Sequence, residues 1–180
     1  MKTKRIVWQT AVAALVLTGA PLIAADFGSN KENRGQLSAK DYRFVADAAR
    51  GSMHEAKLGE LAKQKGTSQT VRDFGQRMVA DHSKAADELK QIVTTKGAMA
   101  PTELSRRENS EIERFEKLSG RDFDKEYAEH MVKDHKKDLK EFQEAAKDLT
   151  DPDLKSFAQK TATVVEDHLR MAKEMQAAVK

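Results

Sequence analysis

From Val45 to Met175, apolar side chains recur at alternating steps of three and four residues, and this spacing constrains the fold most strongly. It is the period of one face of an α-helix that buries that face against its neighbours. Ala, Lys, Glu, Leu and Gln are frequent, and Pro101 and Pro152 are the only prolines after residue 25. These residues favour helix and leave few breaks in it. The sequence therefore predicts an all-α fold.

Glycines, prolines and capping residues divide this pattern into four long helices and a short one. Ser38 with Asp41 resembles a capping box that opens the first helix, and Gly66 ends it. Ser68 is placed to cap the second helix, which ends near Gly97. Asp151 precedes a proline at the first position of the last helix, where proline is tolerated. The predicted ranges are 38–65, 68–96, 103–118, 122–149 and 152 onward.

The connections between the helices predict their relative directions. Short links make helices one and two antiparallel neighbours, and likewise helices three and four. The short helix lies between the two pairs, and about sixteen residues span roughly 24 Å at 1.5 Å per residue. It is long enough to carry the chain back, which gives the one-crossover topology of a ferritin-like four-helix bundle. In the alternative, the short helix packs across one end of a simple up-and-down bundle.

Residues 1–25 are expected to be a secretory signal peptide rather than part of the fold. Lys2, Lys4 and Arg5 precede an apolar stretch, and Ala25 ends a signal-peptidase site. The apolar stretch is too short for a confident membrane span, and no second long one follows it. The expected mature protein is therefore soluble, without a transmembrane segment, and located in a bacterial periplasm or cell envelope.

The mature chain is expected to form one domain without disulfides or a charge bias. The sequence has no cysteine, so it has neither disulfides nor a lipoprotein anchor. It has 32 Lys and Arg against 29 Asp and Glu, and three of the basic residues lie in the predicted signal peptide, which leaves 29 of each. No basic patch with interleaved aromatics follows, so nucleic acid is not an expected partner. Residues 26–37 are an expected flexible lead-in to a domain over 38–180.

The tetrapeptide Val-x-Asp-His occurs three times, once in each of three long helices. These motifs hold three of the five histidines in the chain. Each histidine falls on the apolar stripe of its helix, near the middle, and Glu55 takes the equivalent position in helix one. We expect these four side chains to meet at one level of a bundle and to bind a metal. The predicted ligands are Glu55, His82, His135 and His168.

Imidazole nitrogens with one carboxylate suit zinc, iron, copper or manganese. The aspartate before each histidine points about 100° away on a helix and faces a neighbouring helix. Asp81, Asp134 and Asp167 are therefore expected to orient the histidines of neighbouring helices, or alternatively to be ligands in a site with two metals. His54 and His130 fall off the stripes and are expected at the surface or flanking the site.

Other interpretations of the same residues remain open. A buried histidine paired with aspartate is also a structural device that fixes helix register. Met78 and Met131 are interpreted as core side chains, and Asp138, at a stripe edge, as facing solvent. Carboxylate-bridged di-iron bundles use Glu-x-x-His, whereas valines stand three residues before each motif histidine here. Oxidase or ferroxidase activity is therefore less expected than metal binding.

The chain resembles an exported bacterial ferritin-like family catalogued as a domain of unknown function, DUF 4142. The resemblance covers residues 38–176 and rests on the predicted signal peptide, the Val-x-Asp-His motifs, the segment around Glu55 and Phe123-Asp124-x-x-Tyr127. It implies a ferritin-like four-helix fold and a location in the cell envelope. The family supplies no established activity.

Three functions are therefore considered from the sequence. The first is a periplasmic metal-binding protein for sequestration, sensing or stress protection. The second is a metal-free envelope stress or interaction protein whose His-Asp pairs are structural. The third is an atypical metal-dependent redox enzyme. Protein partners and oligomeric state are not indicated by the sequence.

Overall fold

The computed structural model describes residues 31–180, and within this range the protein has five α-helices and no β-strand. The predicted signal peptide, residues 1–25, lies outside the described residues. None of the described helices combines the length and the hydropathy that crossing a membrane would require. The helices are α1 (Ala39–Lys65), α2 (Gln69–Thr95), α3 (Arg106–Glu116), α4 (Gly120–Asp148) and α5 (Pro152–Ala178).

Capping side chains account for most of the helix starts. Ser38 accepts a hydrogen bond from the Asp41 amide at the start of α1. Asp151 accepts from the first amides of α5, directly before the proline at its first position. Ser68 precedes α2 as predicted, but its hydroxyl makes no capping bond. Asp124 of α4 accepts from the Ser68 amide instead, at 2.8 Å.

The short helix α3 differs from its predicted range of 103–118. It begins at Arg106, because Ser105 and Glu108 form a complete capping box. Its 11 residues span roughly 16 Å at 1.5 Å per residue, about a third less than expected. The chain from Ala98 to Leu104, between α2 and α3, is not helical.

Two aspartates join opposite ends of the molecule in the same way. Asp41, at the start of α1, accepts hydrogen bonds from the amide and hydroxyl of Thr150, between α4 and α5. Asp124, near the start of α4, accepts the same two bonds from Thr67, between α1 and α2. Burial alone would raise the pKa of Asp41, but the Thr150 hydrogen bonds lower it overall. The start of each of these helices therefore lies beside the end of the other, and α1 and α4 are antiparallel.

Ion pairs place α2 beside α5 in the same antiparallel sense. Lys96, after the end of α2, pairs with Asp151 and Asp153 at the start of α5, at 2.8 and 2.7 Å. Since α1 packs antiparallel against α2, and α4 against α5, the diagonal helices α2 and α4 run in the same direction.

Residues 31–37, part of the segment expected to be a flexible lead-in, contact the end of α2. A short 3-10 helix covers Lys31–Arg34. The Gln36 amide donates to the Lys96 carbonyl at 2.9 Å, and the Leu37 side chain is buried. This part of the segment is therefore held against the rest of the fold.

The apolar core consists of two clusters, one toward each end of the long helices. One includes Phe74, Tyr127 and Met131, and the other includes Val45 and Phe157. In every long helix the buried histidines and Glu55 lie between members of the two clusters. The polar residues therefore form a layer at mid-height, with apolar packing above and below it.

Helices α1 and α2 approach most closely at a pair of glycines. A Cβ added at Gly75 would lie 2.7 Å from the Gly59 carbonyl oxygen and 2.7 Å from the Ala62 Cβ. Both neighbours belong to the packed face of α1, so they have little freedom to move. By contrast, a Cβ added at Gly51 of α1 would meet nothing within 4 Å.

Gly75→Ala is expected to lower the free energy of unfolding by about 1–3 kcal/mol, because the two helices must separate to accept the methyl group. Gly51→Ala is the matched control and is expected to raise it by roughly 0.5–1 kcal/mol through helix propensity alone. Urea denaturation of the two variants measures both changes. Stabilisation of similar size in both would contradict the close approach.

Candidate functional site

Three histidines from three helices meet at the middle of the molecule. His82 of α2, His135 of α4 and His168 of α5 each offer a ring nitrogen, and these nitrogens lie within 4.8 Å of one another. The three residues are 8%, 0% and 1% exposed. Their ring centroids are 5.4–6.0 Å apart. Two ligand atoms of a tetrahedral ion with bonds of about 2.1 Å are roughly 3.4 Å apart, so the three side chains would move closer together to bind one ion.

In two of these rings, one nitrogen makes a hydrogen bond that fixes the tautomer, and we call it the outer nitrogen. His135 Nδ1 lies 2.9 Å from the Met131 carbonyl oxygen. A carbonyl only accepts, so Nδ1 carries the proton and the lone pair is on Nε2. His168 Nε2 lies 2.8 Å from Asp81 Oδ2 and donates to it, which leaves the lone pair on Nδ1. Such outer partners typically orient metal-binding histidines.

The remaining nitrogens have no partner in the described part of the chain. His82 Nε2, His135 Nε2 and His168 Nδ1 are buried without a hydrogen bond from any described residue. Leaving one buried polar atom unsatisfied costs about 1–3 kcal/mol. Three such atoms at one place make this group a candidate site for a ligand.

The electrostatics of the site keep the imidazoles neutral. Burial lowers the pKa of His135 to about 4, with a further contribution from the neighbouring His168. Burial also lowers the pKa of His82 well below its ordinary value, and the two other rings add to the effect. The pKa of His168 is lowered by burial, although the hydrogen bond to Asp81 opposes the shift. Near neutral pH the rings are therefore uncharged, which is the form that ligates a metal.

The three motif aspartates have different positions. Asp81 accepts from His168 of the neighbouring helix and from Arg77, one turn earlier on α2. Asp167 is instead 46% exposed and pairs with Arg170 at 2.6 Å. Asp167, predicted to support or ligate the site, is therefore not placed beside the three histidines in this structure. Asp134 lies close to His54, Glu55 and His130 instead.

A second group of potential ligands contains Glu55 and both of the histidines that were expected at the surface or flanking the site. One atom each from His54, Glu55, His130 and Asp134 lie within 4.8 Å of one another. Glu55 is buried as expected, but the structure does not place it in the set of three histidines. Of the two positions expected for His54, at the surface or flanking the site, the structure shows the second, because His54 is only 4% exposed and lies beside Glu55. We refer to the two sets as the three-histidine group and the mixed group.

Helix α3 is the reason that the mixed group is covered. Glu111 of α3 lies 3.6 Å from His54 Nε2 and 3.5 Å from His130 Nδ1. Phe115, one turn later, packs on the His130 ring with centroids 5.2 Å apart. The sequence contains one signal for this group, because His130 and Asp134 have the i,i+4 spacing that puts two side chains on one helix face.

The carboxylates of the mixed group are stabilised only by a proton or a cation. Burial raises the pKa of Glu55 well above its ordinary value, and the nearby Asp134 and Asp138 raise it further. Both Glu55 oxygens lack a hydrogen-bond donor among the described residues. A proton on Glu55 would be shared with Asp134. Asp138, expected to face solvent, is 21% exposed, and burial with the nearby Asp134 raises its pKa to about 7.

A cavity of about 470 Å³ borders both groups. Glu55 and His82 lie on its wall, and residues of α1, α3 and α4 supply most of the rest. Seven acidic and three basic residues of the described chain line it. An excess of acidic groups in a recess raises the local concentration of cations. The cavity therefore offers an entry path for a positively charged ligand.

Comparison with known proteins gives one match. The model of the family described as Domain of unknown function (DUF4142) matches residues 28–175. No curated protein and no solved structure matches the chain significantly.

In metal-free protein, the raised pKa of Asp138 predicts a loss of stability with increasing pH. Between its unfolded value of 3.8 and its folded value of about 7, the folded state retains a proton that the unfolded state has released. Stability from this group is therefore present at about pH 4 and lost as pH rises to 7. The gain from Asp138→Asn is expected to grow over this range by up to about 4 kcal/mol.

Urea denaturation at several pH values in the presence of a chelator measures this gain. Glu144→Gln is a suitable control, because Glu144 lies on the same helix with a 61% exposed side chain. Parallel stability profiles for wild type and Asp138→Asn would contradict the prediction.

Proposed function

The chain belongs to the DUF4142 family, whose description assigns no function, and from this premise we propose that it binds a divalent transition-metal ion at His82, His135 and His168. The observation that carries this proposal is that each of the three buried rings has a nitrogen without a partner among the described residues, and that the rings offer nitrogens within 4.8 Å of one another. A single ion would satisfy all three nitrogens. In His135 and His168 the fixed tautomer leaves the lone pair on the ring nitrogen that makes no hydrogen bond.

The chemistry of the donors favours a borderline ion such as Zn²⁺ or Cu²⁺. All three donors are neutral nitrogens, which suit these ions better than Mg²⁺ or Ca²⁺. Three protein ligands leave one position of a tetrahedral ion for water or another small ligand. Asp81, hydrogen-bonded to His168 and to Arg77, holds one imidazole in place and adds negative charge close to the ion.

We propose that the helices form a ferritin-like four-helix bundle in which α3 is part of the crossover. The contacts of Asp41 with Thr150 and of Lys96 with Asp151 support this topology, because they make neighbouring long helices antiparallel and the diagonal pair α2 and α4 parallel. A ligand site made by facing helices at mid-height is typical of such bundles.

The proposed role is to sequester a metal ion in the cell envelope. The basic and apolar pattern of residues 1–25 supports export. Burial of the three-histidine group favours holding an ion over converting a large substrate. N-terminal sequencing of protein recovered from the periplasm is expected to begin at Asp26. Protein that keeps Met1 would contradict processing.

Metal analysis of protein purified without chelator tests the binding function. The wild type is expected to hold close to one equivalent of zinc or copper after dialysis. The triple variant His82→Ala, His135→Ala, His168→Ala is expected to lose this ion, because all of its ligands are gone. The double variant His54→Ala, His130→Ala also removes buried histidines but is expected to keep it.

Circular dichroism of each variant establishes that the helices are retained. The single variant His135→Gln, which preserves more of the side-chain volume, is measured in the same way in case the triple variant does not fold. A wild type that neither carries zinc or copper nor takes them up on titration would contradict the proposal and make the histidines structural.

A further inference from the structure

The mixed group points to a second ligand site, separate from the three histidines. Its four donors come from adjacent positions on α1, His54 and Glu55, and from one face of α4, His130 and Asp134. We infer that these four residues bind a second divalent metal ion, of the harder class that includes Mn²⁺ and Fe²⁺. This inference does not depend on an ion at the three-histidine group, with which it shares no proposed ligand.

Unsatisfied buried atoms carry this inference. Glu55 is 1% exposed, and both of its oxygens lack a donor within residues 31–180. His54 Nε2 and His130 Nε2 are likewise buried and unpartnered within the described chain. The nearest acidic atom to His130 Nε2 is Asp134 Oδ2, at 3.8 Å, beyond hydrogen-bond range. Two carboxylates and two imidazoles thus converge, and the two carboxylates can bond to each other only by sharing a proton.

A cation resolves this arrangement better than internal hydrogen bonds do. Two adjacent carboxylates repel each other when both are charged, and a divalent ion attracts both of them. Glu111 Oε1 lies 3.5 Å from His130 Nδ1, the nitrogen that does not face Asp134, and is positioned to orient that ring. Carboxylates that support metal-bound histidines in this way are a general feature of metal sites.

The donor set and its exposure distinguish this site from the first one. Half of its ligands are carboxylate oxygens, which favour harder ions than an all-imidazole site does. Asp134 is 29% exposed, and the group borders the cavity of about 470 Å³ between α1, α3 and α4. The remaining coordination positions of the ion would face this cavity and take water or a small anion.

Titration with Mn²⁺, followed by the loss of its free-ion electron paramagnetic resonance signal, tests the inference. Asp134→Asn is expected to weaken Mn²⁺ binding by at least about tenfold. Asp167→Asn is the matched control, because the same substitution is made in the same Val-x-Asp-His motif at an exposed aspartate paired with Arg170. Its Mn²⁺ affinity is expected to equal that of the wild type. Glu55→Gln is a second test variant.

The triple variant of the three-histidine group separates the two sites. It is expected to bind Mn²⁺ within about threefold of the wild-type affinity, even though it no longer binds zinc at the three-histidine group. Failure of the wild type to bind Mn²⁺ at millimolar concentration would overturn the inference. Equal affinities of Asp134→Asn and Asp167→Asn would also overturn it, as would loss of Mn²⁺ binding in a triple variant with intact helical circular dichroism.

Discussion

Imidazole nitrogens buried between two apolar layers constrain how the long helices of this protein pack against one another. Three rings reach the same point from α2, α4 and α5, and their facing nitrogens are unpartnered within the described residues. Alone, this arrangement is unfavourable, at about 1–3 kcal/mol for each unsatisfied atom. With an ion it becomes favourable and ties three helices together. Binding of the ion would therefore stabilise the fold as well as perform the proposed function.

Short polar contacts and one close helix approach hold the helices together around this layer of buried polar side chains. Asp41 is bonded to Thr150 at one end of the molecule, and Asp124 is bonded to Thr67 at the other end. These contacts fix the position of the two helix pairs along their common axis. A shift along the helix axis would separate the histidines and break both contacts. Gly75 lets α2 approach α1 closely. Between α1 and α4, by contrast, lies the cavity that borders both ligand groups.

Helical periodicity predicted the all-α class, the four long helices and the burial of Glu55, His82, His135 and His168. It could not predict how the potential ligands divide into two groups, because a single apolar stripe on each helix assumes that other elements cover only one face of that helix. Helix α3 covers a second face of α1 and α4, and this buries His54 beside Glu55. The sequence contained the i,i+4 spacing within α4, but its partner on α1 depended on where α3 packs. Asp167 differs from the other two motif aspartates because its face of α5 is exposed.

An anomalous difference map at the zinc absorption edge, from crystals of the protein grown with zinc, tests metal binding at the three histidines most directly. A strong peak is expected about 2.1 Å from His82 Nε2, His135 Nε2 and His168 Nδ1, with the outer hydrogen bonds of the latter two rings preserved. A map with no peak among these three nitrogens, or with zinc bound only at surface carboxylates, would contradict it.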